Sequence, residues 1–280
     1  MEKKFIGAGL GSGLIAGVMA FVFARLFIEP QVGKAIDYEA GRSAAKEALE
    51  AGAAHSHGGG HSHEGGEVFT RTVQENIGAG VGTVVFGLCM GAFFAVGFVL
   101  LWSYMRGRYP GTDPRWVAAA LGAIGFVAIY ATPFFVYPAN PPAVGEEDTI
   151  GARSSAYLGI TVASVVAAIV AVVVVVVWLR PRIGALYSAI VGAVGYLVAA
   201  TVVALVLPSF DEVPKPLVDG EHVAFPGFPA DVLGYFRIYS IANQAILWIT
   251  LTTVFAVLLG LLSRAGAKSS GRVSQPAHSL

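Results

Sequence analysis

Between Tyr157 and Leu179 the chain carries no charged residue, and Val172 to Val177 are six valines in a row. In water a β-branched run of this kind favours an extended strand. Crossing a bilayer, however, takes about 20 apolar residues in succession. Inside lipid there is no water for the backbone N–H and C=O groups, so a segment must pair them internally and becomes a helix. The valine run therefore predicts a membrane-spanning helix.

Five further stretches have the same character: Phe5–Ile28, Ile77–Tyr104, Trp116–Val136, Ile183–Leu207 and Ile238–Leu262. Only 13% of the 280 residues are charged and 55% are hydrophobic, with mean hydropathy +0.69. A soluble domain carries about 25% charged residues. The expected fold is all-α, a polytopic integral membrane helical bundle of about six transmembrane helices. It forms one domain over residues 1–264, followed by a disordered cytoplasmic tail at 265–280. The first stretch exceeds the apolar core of a signal peptide, about 7–15 residues, and no A-x-A-like site follows it at once, so it reads as a retained helix. Its Gly7, Gly9, Gly11, Gly13 and Gly17 offer a narrow face to a neighbouring helix.

Composition also excludes. The formal net charge is zero, so no basic surface for nucleic acid is expected. Cys89 is the one cysteine, and no internal disulfide can form. There is no phosphate-binding loop, no H-E-x-x-H motif and no nucleophile motif. Neither enzymatic activity nor a tightly bound cofactor is expected.

Polar residues within the spans are few. Arg25 is the only formal charge inside one, and Glu29, four residues on, shares its helix face. Asn243 and Gln244 stand near the start of the last span. Residues 30–76 form the longest polar segment. Its first half, Lys34–Ala54, is rich in Ala, Glu, Lys and Arg and predicts a surface helix. The second half holds His55, His57, His61 and His63 in the run H-S-H-G-G-G-H-S-H. Two more loops are rich in proline and acid. The central one, Thr132–Tyr157, carries Pro133, Pro138, Pro141 and Pro142, so Tyr137–Ala143 cannot continue a helix. Asn140 precedes two of those prolines. The other, Pro208–Arg237, carries Glu212, His222 and Asp231. Each loop ends in an arginine, Arg153 or Arg237, just before the next helix, a weak hint of internal duplication. Arg180-Pro181-Arg182 reads as a tight turn between the fourth and fifth spans.

Orientation follows from lysine and arginine near the spans, which favour the cytoplasmic side. Lys3 and Lys4 precede the first span, and the short connections carry Arg106, Arg108, Arg115, Arg180 and Arg182. Both termini are therefore expected in the cytoplasm, with the three long loops on the outer face.

Neutral imidazoles suit Zn, Cu, Ni and Co ions. In an extended chain residues i and i+2 point the same way, so His55 with His57 and His61 with His63 make two pincers hinged at three glycines. His222, beside Glu221, is a further candidate ligand. By the Irving–Williams order such a site holds Cu best and Ni at least as well as Co. The pattern points to a collector that raises local metal concentration. Arg25, Glu29, Asn140, Glu212, Asp231, Arg237, Asn243 and Gln244 are the candidates for lining a transport path or for holding helices together.

The run P-F-F-V-Y-P-A-N-P-P-A-V-G-E-E-D-T-I-G-A-R, Pro133 to Arg153, resembles the signature of the CbtA family, described as probable cobalt transporter subunits of prokaryotes. The stretch from Phe228 to Trp248 resembles that family's second signature, and Arg25 to Pro30 its first motif. The resemblance covers most of the chain in order, and it puts Glu29, Glu212 and Asp231 first among the acids. It implies uptake of a divalent transition metal, cobalt foremost, by a permease or permease subunit of a prokaryotic inner (plasma) membrane. It also implies a small histidine-bearing membrane partner, CbtB, beside the metal ion and membrane lipids. Nickel or zinc remains open as the cargo. So does a non-transporting membrane metal-binding or assembly protein that presents metal to a partner.

Overall fold

A computed structural model describes residues 2–53 and 78–273. Helix α1 (Glu2–Phe23) passes through a π-helical turn (Ala24–Ile28) into α2 (Glu29–Ala53). Helix α3 (Ala79–Arg108) follows, then α4 (Pro114–Gly125), a second π turn (Phe126–Ala131) and the short α5 (Thr132–Val136). A 3₁₀ turn (Glu147–Thr149) opens α6 (Ile150–Val173), and a third π turn (Val174–Leu179) leads to α7 (Arg180–Val206). A small antiparallel hairpin, β1 (Leu217–Asp219) with β2 (His222–Phe225), precedes α8 (Ala230–Val273). Among the described residues five helices are long and apolar enough to cross a membrane: Lys3–Ala51, Ala79–Arg108, Pro114–Val136, Glu147–Val206 and Ala230–Leu262. Their sides are widely apolar, with Phe93, Phe135, Leu205 and Val206 each at least 71% exposed, as a lipid-facing surface allows.

The valine run is helical, part α-helix and part π turn. The sequence also places the surface helix well, and α2 begins a turn sooner, at Glu29. Two boundaries differ. Arg180-Pro181-Arg182 is helical and continues the π turn before it. The break comes at Gly184, whose φ of 79° and ψ of 172° only glycine adopts readily. The apolar stretches read as the fourth and fifth spans are thus two helices that join at Gly184 rather than at the arginines. Helix α8 also runs past Leu262 to Val273, so the start of the tail is helical.

The chain divides into two compact units. The first comprises, of the described residues, 2–23, 78–126 and 243–273. Here α1 and α3 meet backbone to backbone. A Cβ on Gly91 would overlap the Gly9 carbonyl, and one on Gly87 would stand 2.5 Å from the Gly13 carbonyl. Gly7 and Gly11, by contrast, have nothing within 4 Å. Ser12, fully buried, donates to the Ala8 carbonyl of its own helix at 2.7 Å and so brings no unpaired proton into the contact. Phe255 of α8 packs edge-on against Phe94 and Phe98 of α3, with centroids 5.1 and 5.0 Å away.

The second unit comprises 24–53 and 127–242 of the described residues. Helices α6 and α7 run antiparallel in it, with Val175 of the third π turn pressed against Gly192 of α7. Four oxygens form a buried chain between them and the neighbouring π turn. Ser164 donates to the Ala128 carbonyl at 2.8 Å, Tyr196 lies 2.7 Å from Ser164, and Thr132 lies 2.6 Å from Tyr196. The carbonyl only accepts, and Ser164 has one proton. Tyr196 therefore donates to Ser164, and Thr132 to Tyr196.

Candidate functional site

The polar parts of the second unit fold into a cap built from α2, the loop 137–149, the segment 207–229 with its hairpin, and the first turns of α8. Prolines keep the two loops out of helix and leave their carbonyls free to be bonded by side chains. Ala35 and Tyr38 of α2, Val144, Phe228 and Val232 form a buried apolar core under Phe225 and Val213. The Tyr38 ring stands against Phe225 and Phe228, with centroids 5.5 and 4.9 Å away. Its hydroxyl donates to the Pro226 carbonyl at 3.2 Å, and Arg42, one turn on, donates to the Lys215 carbonyl at 2.7 Å. In the hairpin, Val218 pairs with Val223 and Asp219 with His222 across the turn at Gly220 and Glu221.

Two arginines then clasp the loops crosswise. Arg153, just after the first loop, forms an ion pair at 3.2 Å with Glu212 of the second, their side chains 28% and 11% exposed. It also donates to the Glu146 carbonyl at 2.9 Å and to the Thr149 hydroxyl at 3.0 Å. Arg237, just after the second loop, reaches back to the first, donating to Asn140 Oδ1 at 2.8 Å and the Ala139 carbonyl at 3.4 Å. Tyr137 adds a third link, its hydroxyl donating to the Pro208 carbonyl at 2.6 Å. Gly145 is required by both conformation and space: its φ is +127°, and the Arg153 guanidinium fills the place of a Cβ. Ala143, at φ 66°, holds a left-handed conformation costing roughly 1–2 kcal/mol for an L-residue.

Glu212 is the electrostatic centre of the clasp. The Thr149 hydroxyl, the Glu146 N–H at 2.9 Å and the Arg153 charge hold its carboxyl below the ordinary value of 4.5, against the opposing effect of desolvation. Thr149 has one hydroxyl proton, and the Glu146 carbonyl, at 3.0 Å, competes with Glu212 for it. Glu146, Glu147, Asp148 and Asp211 remain exposed around it.

The structure thus brings Asn140, Glu212 and Arg237 into one arrangement. Asp231 lies in the first turn of α8, exposed, and favours the positive end of the helix dipole. Arg25 falls in the π turn and Glu29 opens α2; both are half-buried and engaged in interactions. His222 is exposed on β2. Asn243 and Gln244 belong to the first unit, half-buried, and the Asn243 Oδ1 has no hydrogen-bond partner among the described residues. His55, His57, His61 and His63 lie outside the described residues. Among the described residues no three His, Cys, Asp or Glu side chains gather as a metal site. Sequence reading left Arg153, Tyr38, Arg42 and Tyr137 out of the site. Arg153 carried a signal, the arginine repeated at the end of both proline loops.

No curated protein and no solved structure matches this chain. A family model described as "Probable cobalt transporter subunit (CbtA)" matches residues 2–260 of the 280. The clasped loops and the apolar helices that carry them therefore belong to a member of the CbtA family.

Proposed function

We propose that the protein takes up a divalent transition-metal ion, cobalt foremost, across the inner membrane of a prokaryote. Both termini lie in the cytoplasm, the cap faces outward, and the loop with His55, His57, His61 and His63 collects metal before transfer. The observation that carries the reading, beside the family, is the crosswise clasp: Arg237 on Asn140 and Arg153 on Glu212 join two motif-bearing loops into one mouth. The carboxylates exposed around it attract cations, and none of them forms a tight site that would retain the ion. Imidazole selectivity alone leaves Ni and Zn as competitors.

The family description, a subunit, favours a second reading. In that reading the chain presents metal to a partner, such as a small CbtB-like membrane protein, that does the transporting. Radioactive cobalt accumulation in cells expressing this chain alone, with nickel and zinc as competitors, separates the two. Accumulation above empty-vector cells supports the permease; none without a second subunit supports presentation. Replacing the four loop histidines with alanine is expected to weaken uptake at low cobalt and leave it unchanged at saturation. Loss at every concentration would make that loop the transport site itself.

A further inference from the structure

In the first unit α4 and α8 pack closely, the Thr252 hydroxyl against Gly122 and the Trp248 ring against Gly125. Beside this contact open two grooves of about 390 and 300 Å³. They share Ala119, Thr252 and Thr253, so they run on from one another along the helix pair. Their walls are largely apolar, with a single charged group: Arg115, at one end, whose guanidinium lies 3.8 Å from where a Cβ of Gly260 would stand. Arg115 sits in the first turn of α4, beside Trp116, which is 75% exposed. A tryptophan at the start of an apolar span marks the headgroup level. The grooves thus descend from that level along the apolar span.

We propose that this groove holds one anionic phospholipid, its phosphate on Arg115 and an acyl chain along Ala119, Thr253 and Ala256. In a membrane an apolar groove takes hydrocarbon, and a guanidinium at its mouth offers a phosphate two parallel donors. The net charge decides the headgroup. Arg106, Arg108 and Arg115 flank the α3–α4 connection, whose one acid, Asp113, accepts from the Arg115 N–H at 2.8 Å and stands 3.9 Å from the guanidinium, one negative charge against three positive. The positive surplus favours a net-negative headgroup over a zwitterionic one.

The test uses the full-length protein purified in detergent, with dioleoyl phosphatidylglycerol or dioleoyl phosphatidylcholine added. Native mass spectrometry reads the lipid retained, and the thermal midpoint reads stability. Phosphatidylglycerol is expected to be retained in preference, and Arg115→Gln to weaken its retention about fivefold, the equivalent of one interfacial charge. Ala256→Leu, which fills the groove, is expected to reduce retention of both lipids, while Arg115→Lys keeps part of the preference. Equal retention of the two lipids, or a preference that survives Arg115→Gln, overturns the proposal. So does an Ala256→Leu variant that retains lipid normally but loses a bound polypeptide, which would make the groove a seat for another helix.

Discussion

The α1–α3 pair and the loop cap are held together by opposite means. Between α1 and α3 the contact is glycine on glycine, with carbonyls of one helix over α-carbons of the other. In the cap the links are long side chains that bond residues far apart in sequence, Arg237 to Asn140 and Tyr38 to Pro226. The difference follows from the solvent each region meets. Lipid is as apolar as a leucine side chain, so helices gain little by burying leucine in each other and more by close approach of small residues. Loops that meet water gain from burying Tyr38, Phe228 and Val232 in the usual hydrophobic way. They must also find partners for the carbonyls their prolines leave unbonded.

The largest expected effect tests the helix pair. Gly91→Leu forces a side chain onto the Gly9 carbonyl, where only backbone movement makes room. Overpacking of this kind costs about 1–3 kcal/mol and often more where backbone must shift. Gly11→Leu, on the same helix as Gly9, meets open space. The Gly91→Leu variant is expected to give little monodisperse protein on size exclusion, and Gly11→Leu near wild-type yield. Equal yields would mean that close approach does not hold this pair.

A smaller effect, confined to the cap, is expected from Glu212→Gln. The Glu212 carboxyl is held below its ordinary value in the folded protein. Its contribution to stability is therefore complete above the ordinary glutamate range and is lost as pH falls through the depressed value. Wild-type protein should hold its thermal stability from neutral pH down to about pH 5 and lose part of it below that, as pH falls through the depressed value. Glu212→Gln should start lower at neutral pH and fall less on acidification. The same acid sensitivity in variant and wild type would remove Glu212 from the centre of the clasp. Arg153→Ala, which leaves Gly145 and Glu146 uncovered as well, is expected to lower the neutral-pH midpoint further than Glu212→Gln does.

How much of this was legible follows the same division. Helix in the valine run, the stop at Tyr137 and the helix of α2 depend on neighbouring residues only, and sequence reading finds them. The glycine face of α1 was legible too, though not that Gly9 and Gly13 use it while Gly7 and Gly11 do not. The turn was misplaced because arginine and proline at 180–182 look like a connection, whereas the backbone stays helical through them and turns at Gly184, whose positive φ glycine alone adopts readily. The hairpin had a signal that went unread, Gly220 opening a two-residue loop between Leu217-Val218-Asp219 and His222-Val223. The clasp had almost none. Nothing local to Asn140 says that Arg237 bonds it, because that bond depends on where both loops end in space.

The smallest effect concerns that bond, and it decides whether Asn140 belongs to the proposed transport path or to the frame. Asn140 is exposed and supplies one acceptor, Oδ1, to the Arg237 guanidinium. Asn140→Ala removes the acceptor and leaves the guanidinium its longer bond to the Ala139 carbonyl and water. An exposed interaction of this kind contributes about 0.5–1 kcal/mol. Asn140→Asp keeps an acceptor and adds a charge facing Arg237, so the clasp should hold as well as in wild type or slightly better. A purely framing residue then gives a paired result: Asn140→Ala lowers the thermal midpoint slightly and uptake in proportion, and Asn140→Asp restores both. The double variant Asn140→Ala with Arg237→Ala should be less unstable than the two single losses added together, because each single change already breaks the same bond. A path residue behaves otherwise. Asn140→Asp would then leave the midpoint intact and still change cobalt uptake, since an added carboxylate on the ion's route alters how tightly the ion is held.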